Sequence, residues 1–441
     1  MADMPGAHRN ARGHLLLFGT AAGLCVTATG PAQAAGFYLQ EQSVRGWGRA
    51  NSGEVADQGP ASLWWNPAAI AGTARAEAAF GATGILPSGR VSDTGTLIDR
   101  PGAPPEPVGG LPVLRDPILR GVAPNNAFAL PLGERIAVGL AVTAPFSFTS
   151  QYDPSGWQRY SAIRTRLLTL DFQPSLAVKA TDWLSIGAAL NIQYSDAWLS
   201  NALPNLTPGS PDARLRLTGN GWDLGWSAGL QLRPSERVSI GVAYKSAIDH
   251  TTEGPIEVTG LVGPLAPRNT SGPATVRFTT PWQLVAGARL GISEGLTVNA
   301  QAVHFGWSKF DILDISGPVN NAIVQNYKDT WSIAVGFDKS LGEQLTLRGG
   351  VQIDPTPTRD SNRDPRVPDG DRINYNVGAS YRMSEHISLD AAASLTDVEA
   401  VSINRDERFY AGTAAQTDIL SQGRVDKQRV FILALGGRMS F

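Results

Sequence analysis

Cysteine is nearly absent from this sequence, and charged residues are scarce. Cys25 is the single cysteine among 441 residues, and it lies in an N-terminal segment that we interpret below as a signal peptide. A mature chain without thiols excludes a disulfide framework and any cysteine-based metal centre. Charged residues make up 17% of the sequence and the net charge is -2, so the basic surface that a nucleic-acid-binding protein needs is missing.

Long apolar runs are missing as well, and histidines are few. Beyond residue 34 no run reaches the roughly 18 consecutive apolar residues that a membrane-spanning helix requires. Only three histidines remain there, His250, His304 and His386, and their separation does not match the spacing of metal ligands. We therefore expect neither a metal nor a cofactor.

The first 34 residues have the organisation of a Sec-type signal peptide. Arg9 and Arg12 precede an apolar run over 15–26, and a small-residue triplet, Ala-Gln-Ala, ends at Ala34. This pattern predicts a signal peptide over 1–34 that is cleaved near Ala34, and hence an exported mature protein.

In the remaining sequence, apolar and polar residues alternate with a period of two. Over 345–354 the odd positions are apolar or glycine and most even positions are polar, and the same alternation returns over 372–383. Such segments predict strands with one apolar and one hydrated face. About fourteen strands of this kind can be counted, with boundaries uncertain by two to four residues.

The connections between these strands alternate in length. Tight turns such as 132–134 alternate with long polar segments rich in proline and glycine, which occupy 86–121, 253–273, 355–370 and 400–425. Short turns at one end, long loops at the other and an even strand number are typical of outer-membrane barrels. We therefore predict an all-β fold, a 14-stranded antiparallel transmembrane β-barrel over 74–441, located in the cell outer membrane.

The last strand favours this barrel over a soluble β-sandwich, which would also show alternation. Phe431, Leu433, Leu435 and the terminal Phe441 share one face. A terminal aromatic residue on an amphipathic strand resembles the signal that the barrel assembly machinery recognises, so that machinery is an expected partner.

Residues 35–73 do not fit a strand. They are rich in glycine, alanine and tryptophan and show no steady alternation. As a free tail this segment would expose too much apolar surface. We therefore predict that it folds back into the lumen as a plug, called the hatch below.

The hatch motifs resemble those of the FadL/TodX family of outer-membrane transporters. The similar stretches are an Ala-Gly-Phe start at 35–37, the sequence GWGRANSG over 46–53, and the triplet Asn66, Pro67 and Ala68. Further similar stretches lie at 142–146, 157–160, 326–331 and 366–372. The resemblance runs from residue 35 to the C-terminus and implies that family's architecture of fourteen strands with a hatch.

The resemblance also implies a function. It predicts passive uptake of hydrophobic small molecules, most of all long-chain fatty acids, with a hatch-gated lateral exit through a kinked third strand into the outer-membrane lipid. Aromatic hydrocarbons and other neutral hydrophobic compounds are the alternative ligands. Sideways delivery is physically favourable, because an acyl chain gains about 0.8 kcal/mol for each CH₂ it keeps out of water.

The resemblance assigns roles to several residues. Phe37 is expected to contact the ligand, and Asn66, Pro67 and Ala68 are expected to couple the hatch to the third strand. The kink corresponds to Pro145, Phe146 and Ser147, where the family usually has glycine after the phenylalanine. Pro145 cannot donate a backbone hydrogen bond and could itself break the strand pairing.

A fatty-acid carboxylate would favour a cation in the lumen. The family's basic pocket residues cannot be matched onto this chain by motif, and the candidates are Arg159, Lys245, Lys328 and Arg348. The alternative is that each cation pairs with a neighbouring acid, which would favour a neutral ligand.

Three other functional features carry less weight. Ser227 lies in a Gly-x-Ser-x-Gly string, but in the middle of an expected strand rather than at the sharp turn that hydrolases require, so we expect no enzymatic activity. Acidic residues over 354–371 could hold calcium, although they lack an EF-hand pattern. A surface adhesin that uses the long loops is the third possibility.

Overall fold

A computed structural model describes residues 36–441 of the protein. The expected signal peptide over 1–34, with its cleavage site at Ala34, lies outside the described residues. Among the residues that are described, no helix is long and apolar enough to cross a membrane.

The chain begins with short helical elements and continues as strands. The α-helix α1 (Val44–Trp47) is followed by 3-10 turns at Glu54–Ala56, Pro60–Ser62 and Pro67–Ile70. Three further 3-10 turns lie at Gly263–Arg268, Trp307–Lys309 and Asp360–Asn362. The strands of the described chain are β1 (Glu77–Ser88), β2 (Arg90–Asp93), β3 (Leu97–Asp99), β4 (Glu106–Pro107), β5 (Val113–Arg115), β6 (Gly121–Pro131), β7 (Ile136–Thr143), β8 (Ser147–Gln151), β9 (Arg164–Lys179), β10 (Leu184–Leu203), β11 (Ala213–Ser235), β12 (Val238–Lys245), β13 (Ile248–Thr259), β14 (Thr270–Thr280), β15 (Trp282–Ser293), β16 (Leu296–Gly306), β17 (Ile312–Ser316), β18 (Asn321–Val324), β19 (Thr330–Leu341), β20 (Leu345–Asp354), β21 (Arg372–Arg382), β22 (Ile387–Val398), β23 (Val401–Phe409), β24 (Thr417–Val425) and β25 (Gln428–Ser440).

Nineteen of these segments form one antiparallel sheet that closes on itself through the pairing of β1 with β25. Five pairs of consecutive segments each make one interrupted barrel strand: β7 with β8, β12 with β13, β14 with β15, β16 with β17, and β18 with β19. The wall therefore has fourteen strands, as predicted. Closure leaves no strand edge, which hydrocarbon would not tolerate because unpaired backbone groups cannot be solvated there.

The alternation in sequence corresponds to the two faces of this wall. Along β19, Trp331, Ile333 and Val335 are exposed on the outer face, whereas Ser332 and Ala334 are buried towards the lumen. Apolar side chains thus face the membrane while the lumen is lined by small and polar ones.

A belt of aromatic rings marks one membrane boundary. Neighbouring ring centroids are 4.4 to 6.1 Å apart in the order Trp226, Tyr244, Trp282, His304 and Trp331. Aromatic belts lie at the membrane interface, and this one is at the end of the barrel that carries the long loops, which is the extracellular end in such barrels.

Two of the long segments that the sequence indicated as loops contain a second sheet. β2, β3, β4 and β5 from the first loop join β23 and β24 from the last in a six-stranded sheet over the extracellular end. Its buried Ile403 and Val425 pack in one cluster with Trp157. β2 to β5 have only two to four residues and are too short to show a period of two. β23 and β24 have nine residues each, but their sequences, VSINRDERF and TDILSQGRV, do not alternate regularly between apolar and polar residues.

The hatch occupies the lumen, as predicted. From Phe37 to Ala56 nearly every residue is buried, and α1 packs against β21 and β22 while the turn Pro67–Ile70 packs against β9, β10 and β11. Ser43 caps α1, because its hydroxyl accepts the Gly46 N–H at 3.0 Å. The largest buried hydrophobic cluster of the described chain lies between this hatch and the wall.

Candidate ligand-binding site

The third barrel strand is broken where the sequence places the kink. β7 ends at Thr143 and β8 begins at Ser147, while β9 runs past both without interruption. Thr143 lies opposite Asp171 and Ser147 lies opposite Leu168, so the broken strand has one residue more than its partner over this stretch. Pro145 stands inside the break, where its missing N–H and fixed φ are tolerated.

The break leaves a gap in the hydrogen-bond ladder of the wall. β6 pairs with β7 from Asn125 onwards, but its first residues, 121–124, pair with β1 alone among the described residues. β8 consequently has β9 on one side and no ladder to β6 on the other. Beyond the gap, at the extracellular end, the wall is joined again where the Leu119 N–H donates to the Thr149 carbonyl at 3.0 Å.

The first residues of the hatch cover this break. The Leu39 N–H donates to the Pro145 carbonyl at 2.7 Å, and the Ser147 N–H donates to the Phe37 carbonyl at 3.1 Å. The hatch N-terminus thus acts as a short strand against the kink. It is also tied to the 355–371 loop, since the Gly36 N–H donates to Asp369 Oδ2 at 2.8 Å.

A wall residue satisfies the backbone inside the break. The Phe146 N–H donates to Thr169 Oγ1 at 2.9 Å, and the same hydroxyl donates to the Phe146 carbonyl at 2.8 Å. The side chain of Thr169 therefore replaces a ladder bond, which fits the rule that buried backbone groups find a partner.

Phe37 lies at the centre of an aromatic cluster beside the break. Its ring centroid is 4.8 Å from Phe310, 5.1 Å from Trp307, 5.8 Å from Phe148 and 5.9 Å from Phe146. These separations are typical of packed aromatic pairs. Phe146 and Phe148 belong to the kinked strand, whereas Trp307 and Phe310 lie between β16 and β17. The hatch residue Phe37 packs between these two pairs of rings.

Lys245 is the candidate cation that reaches this region. Its ammonium lies 3.6 Å from the ring centroid of Trp64, which belongs to the same hydrophobic cluster as Phe37. It donates a hydrogen bond to Gln173 Oε1 at 3.0 Å, and no carboxylate of the described chain lies within 4 Å of it. An ammonium has three donors, so Lys245 can bind a further acceptor.

The structure places the other three candidate cations elsewhere. Arg159 lies in the extracellular cap, where it pairs with Asp212 at 2.7 Å. Arg348 pairs with Asp338 at 2.6 Å. Lys328 is exposed in the loop before β19. Of the four, only Lys245 adjoins the cluster around Phe37.

The triplet Asn66, Pro67 and Ala68 forms a capped turn against β9, β10 and β11, the strands that follow the broken third strand. The Ala68 N–H donates to Asn66 Oδ1 at 2.9 Å, and Asn66 Nδ2 donates to the Leu230 carbonyl of β11 at 2.9 Å. The same turn reaches the third strand through Ile70, which packs beside Gly139. The hydrogen bonds from the hatch to the kink come from Phe37, Leu39 and Gln42, whose Nε2 donates to the Ala144 carbonyl at 3.3 Å, and the triplet makes none of them.

The opposite end of the hatch is held by buried charges. Four arginines and three carboxylates meet there: Arg45, Arg49, Arg289, Arg348, Glu54, Asp57 and Asp338. Arg49 is fully buried and contacts Glu54, Asp57 at 2.6 Å, and Asp338 at 3.1 Å. Asp338 and Arg289 lie near strand ends that lead into short turns, so this network closes the periplasmic end of the lumen.

One hatch carboxylate lies close to the wall near the break. Glu41 is 3% exposed, and its main-chain carbonyl accepts a hydrogen bond from Asn125 Nδ2 of β6 at 3.2 Å. Burial raises the pKa of Glu41 to about 7, although the charge of Arg372 opposes this shift.

The remaining motifs have structural roles. Ser227 lies in the middle of β11 and donates to Asn191 Oδ1 at 3.1 Å, without the strand-to-helix turn that a hydrolase nucleophile needs. In the acidic loop Asp364 pairs with Arg366 at 2.5 Å and Asp369 pairs with Arg372. Over the described residues no group of three or more histidine, cysteine or acidic side chains could hold a metal.

The sequence analysis assigned no role to three residues that have clear roles in the structure: Trp64, Thr169 and Arg49. Arg49 lies inside the GWGRANSG stretch, and Glu54 and Asp57 follow it closely in the sequence. An arginine in an otherwise apolar plug with two acids nearby could have indicated a buried ion pair. The contacts of Trp64 and Thr169 join positions far apart in sequence, and no local pattern marks them.

A family model described as "Outer membrane protein transport protein (OMPP1/FadL/TodX)" matches residues 25–441. Outer membrane protein P1 of Haemophilus influenzae is 26% identical over 403 residues, which cover 82% of this chain and 86% of that protein. The long-chain fatty acid transport protein of Escherichia coli K12 is 24% identical over 417 residues, covering 85% and 90%.

Solved structures show the same fold. A Pseudomonas aeruginosa FadL homologue superposes with a TM-score of 0.81 at 25% identity and covers 92% of this chain and all of its own. The Ralstonia pickettii toluene transporter TbuX gives a TM-score of 0.62 at 18% identity, with 90% and 98% covered. That second likeness concerns the fold alone.

Proposed function

Since this chain belongs to the OMPP1/FadL/TodX family of outer membrane transport proteins, which carry hydrophobic compounds, we propose that it takes up long-chain fatty acids and releases them sideways through its wall. Uptake is passive, and the hatch segment over 36–42 is the gate. The observation that carries the proposal is the position of this segment, which lies between an aromatic cluster and a break in the third strand.

The lateral route is supported by the contrast between the two possible exits. At the periplasmic end the ligand would have to pass the buried ion network around Arg49. At the break, the hatch is held to the kink by two backbone hydrogen bonds, those of Leu39 and Ser147. A net backbone hydrogen bond is worth only about 1 kcal/mol, so small displacements of 36–42 would uncover the gap between β6 and β8.

The apolar surface around Phe37 suits an acyl chain. Burial of each CH₂ group in this cluster would contribute about 0.8 kcal/mol, and the path from the cluster through the break reaches the hydrocarbon of the membrane without crossing water. A water-filled axial channel would lose that gain.

The carboxylate of a fatty acid would be bound by Lys245. The ammonium has one protein acceptor, Gln173, and lies against the ring of Trp64 at the edge of the cluster. A carboxylate is the complementary partner for a buried ammonium, because a charge-assisted hydrogen bond offsets part of the cost of its desolvation.

The variant Lys245→Met tests this assignment. We expect the affinity for oleate, measured with the purified barrel in neutral detergent, to fall by about tenfold or more, since the lost bond is charge-assisted. Binding of a neutral alkane of similar length should be unchanged. Lys328→Met, which removes an exposed lysine, is the matched control and should bind oleate like the parent protein.

A second candidate ligand class is neutral aromatic hydrocarbons, favoured by the four rings that surround the Phe37 position. The same experiment separates the two classes. If Lys245→Met leaves oleate binding intact while toluene competes with oleate, the ligand is a neutral hydrophobe and the fatty-acid assignment is wrong.

A further inference from the structure

A cluster of arginines lies on the outer face of the barrel above the membrane boundary. Leu167 on β9 and Leu217 on β11 are buried towards the lumen, so their neighbours Arg166 and Arg216 point outwards. Trp198 of β10 lies between them, because it pairs with Arg166 on one side and with Thr218 on the other.

The height of this cluster follows from the aromatic residues below it. Phe172, Tyr194 and Trp222 form a group of rings on the same three strands, with centroids 5.2 and 5.9 Å apart. Trp198 is four residues beyond Tyr194 in the direction of the long loops. At about 3.3 Å per residue along a tilted strand, the cluster lies at the level of lipid headgroups in the outer leaflet.

The side chains are arranged around a recess of about 280 Å³. The guanidinium of Arg216 is 4.4 Å and that of Arg164 is 4.9 Å from the ring centroid of Trp198. Such contacts hold both cations in place. The recess is lined by Arg166, Asp196, Trp198, Arg216, Asn220 and Glu253, among others.

Three buried N–H donors lie in or beside the recess: Arg166 and Trp198 line it, and Arg164 stacks on the Trp198 ring. Arg164 Nε, Arg166 Nε and Trp198 Nε1 are shielded from solvent and have no acceptor within the described chain. Buried donors in native proteins are almost always paired. A group with several acceptor oxygens, such as a phosphate, would satisfy them together.

The charges at this site favour an anion. Four arginines, at 164, 166, 214 and 216, face three carboxylates: Asp196 is engaged by Arg166, Glu253 lines the recess, and Glu257 lies opposite Arg216 in the sheet. In the described chain neither Arg164 nor the neighbouring exposed Arg214 has a carboxylate within 4 Å. A phosphomonoester carries a charge of about -1.5 to -2 at neutral pH and would complement this surplus.

We propose that this outer-wall site binds the phosphorylated sugar headgroup of the outer-leaflet glycolipid. The wall directly below supports a lipid rather than a free phosphate, because Leu190 and Leu224 are 55% and 70% exposed there and offer a surface to acyl chains. The site faces away from the lumen and is separate from the ligand site around Phe37. It would keep one lipid molecule attached to the fourth, fifth and sixth barrel strands.

The test uses the purified full-length barrel in neutral detergent and a fluorescent lipid A with both phosphates. The double variant Arg164→Gln/Arg216→Gln should lose at least about tenfold in affinity, because charge-assisted bonds are removed. Trp198→Phe keeps the stacked ring and removes one donor, so a smaller loss is expected. Arg429→Gln, an outward arginine of β25 that pairs with Asp397, is the matched control and should bind like the parent.

Two further probes decide the source of the phosphate. Lipid A stripped of phosphate should bind far more weakly, and inorganic phosphate should compete only at much higher concentration than lipid A. Equal binding of the dephosphorylated lipid, equal competition by inorganic phosphate, or a double variant that matches the Arg429→Gln control would each overturn the proposal. Heat-modifiable gel migration and retained oleate binding verify that each variant is folded.

Discussion

The two ends of the hatch are attached to the barrel by different physics. At the periplasmic end, Arg49 and its partners form an ion network that is almost completely buried. At the break in the third strand, Phe37 and Leu39 contribute aromatic packing and two backbone hydrogen bonds. Buried charges hold the periplasmic end as an anchor that is costly to break. The other end is held by aromatic packing and backbone hydrogen bonds, the contacts that our proposed function requires a ligand to replace.

The largest expected effect comes from breaking the anchor. Arg49→Gln removes the positive charge that Glu54, Asp57 and Asp338 share. It leaves the buried Glu54 without an ion-pair partner, while Asp57 and Asp338 keep Arg289. Loss of one partner of a buried ion pair costs about 3–5 kcal/mol. We expect hydrogen exchange of the hatch amides to accelerate by at least about a hundredfold and the ion conductance of the barrel in a bilayer to rise.

Arg45→Gln provides the comparison for this variant. Arg45 contacts the same Asp57 at 3.1 Å but stands at the edge of the network. Its removal should have a clearly smaller effect on both readouts. Similar exchange rates in the two variants would show that the network around Arg49 is not the anchor.

A second variant changes the end of the hatch that covers the break in the third strand. Phe37→Leu keeps an apolar side chain of nearly the same volume, so we expect the stability of the hatch to change by less than about 1.5 kcal/mol. The loss of four ring contacts should nevertheless slow oleate uptake by cells that lack their own transporter. Phe409→Leu changes a phenylalanine of the extracellular cap and serves as the control. Equal uptake rates for the two variants would argue against a role of Phe37 in transport.

The smallest effect concerns pH and Glu41. Burial raises the pKa of Glu41 to about 7, above its usual value near 4.5, so the folded hatch binds a proton that the unfolded chain releases. The stabilising contribution of that proton is complete below pH 4.5 and is lost as the pH rises through about 7. Hatch protection in hydrogen exchange should therefore fall between pH 5 and pH 8.

Glu41→Gln should remove this pH dependence. In the parent protein, one titrating group changes the stability of the hatch by at most about 1.4 kcal/mol per pH unit. Glu343→Gln, in an exposed turn, should retain it. A pH dependence that persists in Glu41→Gln would assign the titration to another group.

Much of the architecture could be predicted from the sequence. The alternation over 345–354 and 372–383 corresponds to β20 and β21, and the Gly-, Ala- and Trp-rich segment before them is the hatch. These features are local, since each residue shows in its own polarity which face it occupies. The short strands of the extracellular sheet escaped prediction because β3 and β4 contain only three and two residues.

The candidate cations illustrate the limit for the site. The sequence did not distinguish between the four candidates, Arg159, Lys245, Lys328 and Arg348. A period of two indicates only which side of a strand faces inwards. Arg348 and Arg159 proved to have carboxylate partners on other strands, Asp338 and Asp212. Only the three-dimensional arrangement shows that Lys245 lies against Trp64 and that the charge of Asp171, which acts on it, stays more than 4 Å away.

The sequence by itself determined the export signal expected over 1–34, the closed barrel and the presence of a plug, because composition and periodicity are properties of single segments. The tertiary structure decided which segment of the plug covers the break at Pro145 and which of its arginines becomes the anchor. The physical reason is that these contacts join residues more than 100 positions apart, such as Leu39 with Pro145 and Arg49 with Asp338. Only closure of the barrel brings such residues within hydrogen-bonding distance.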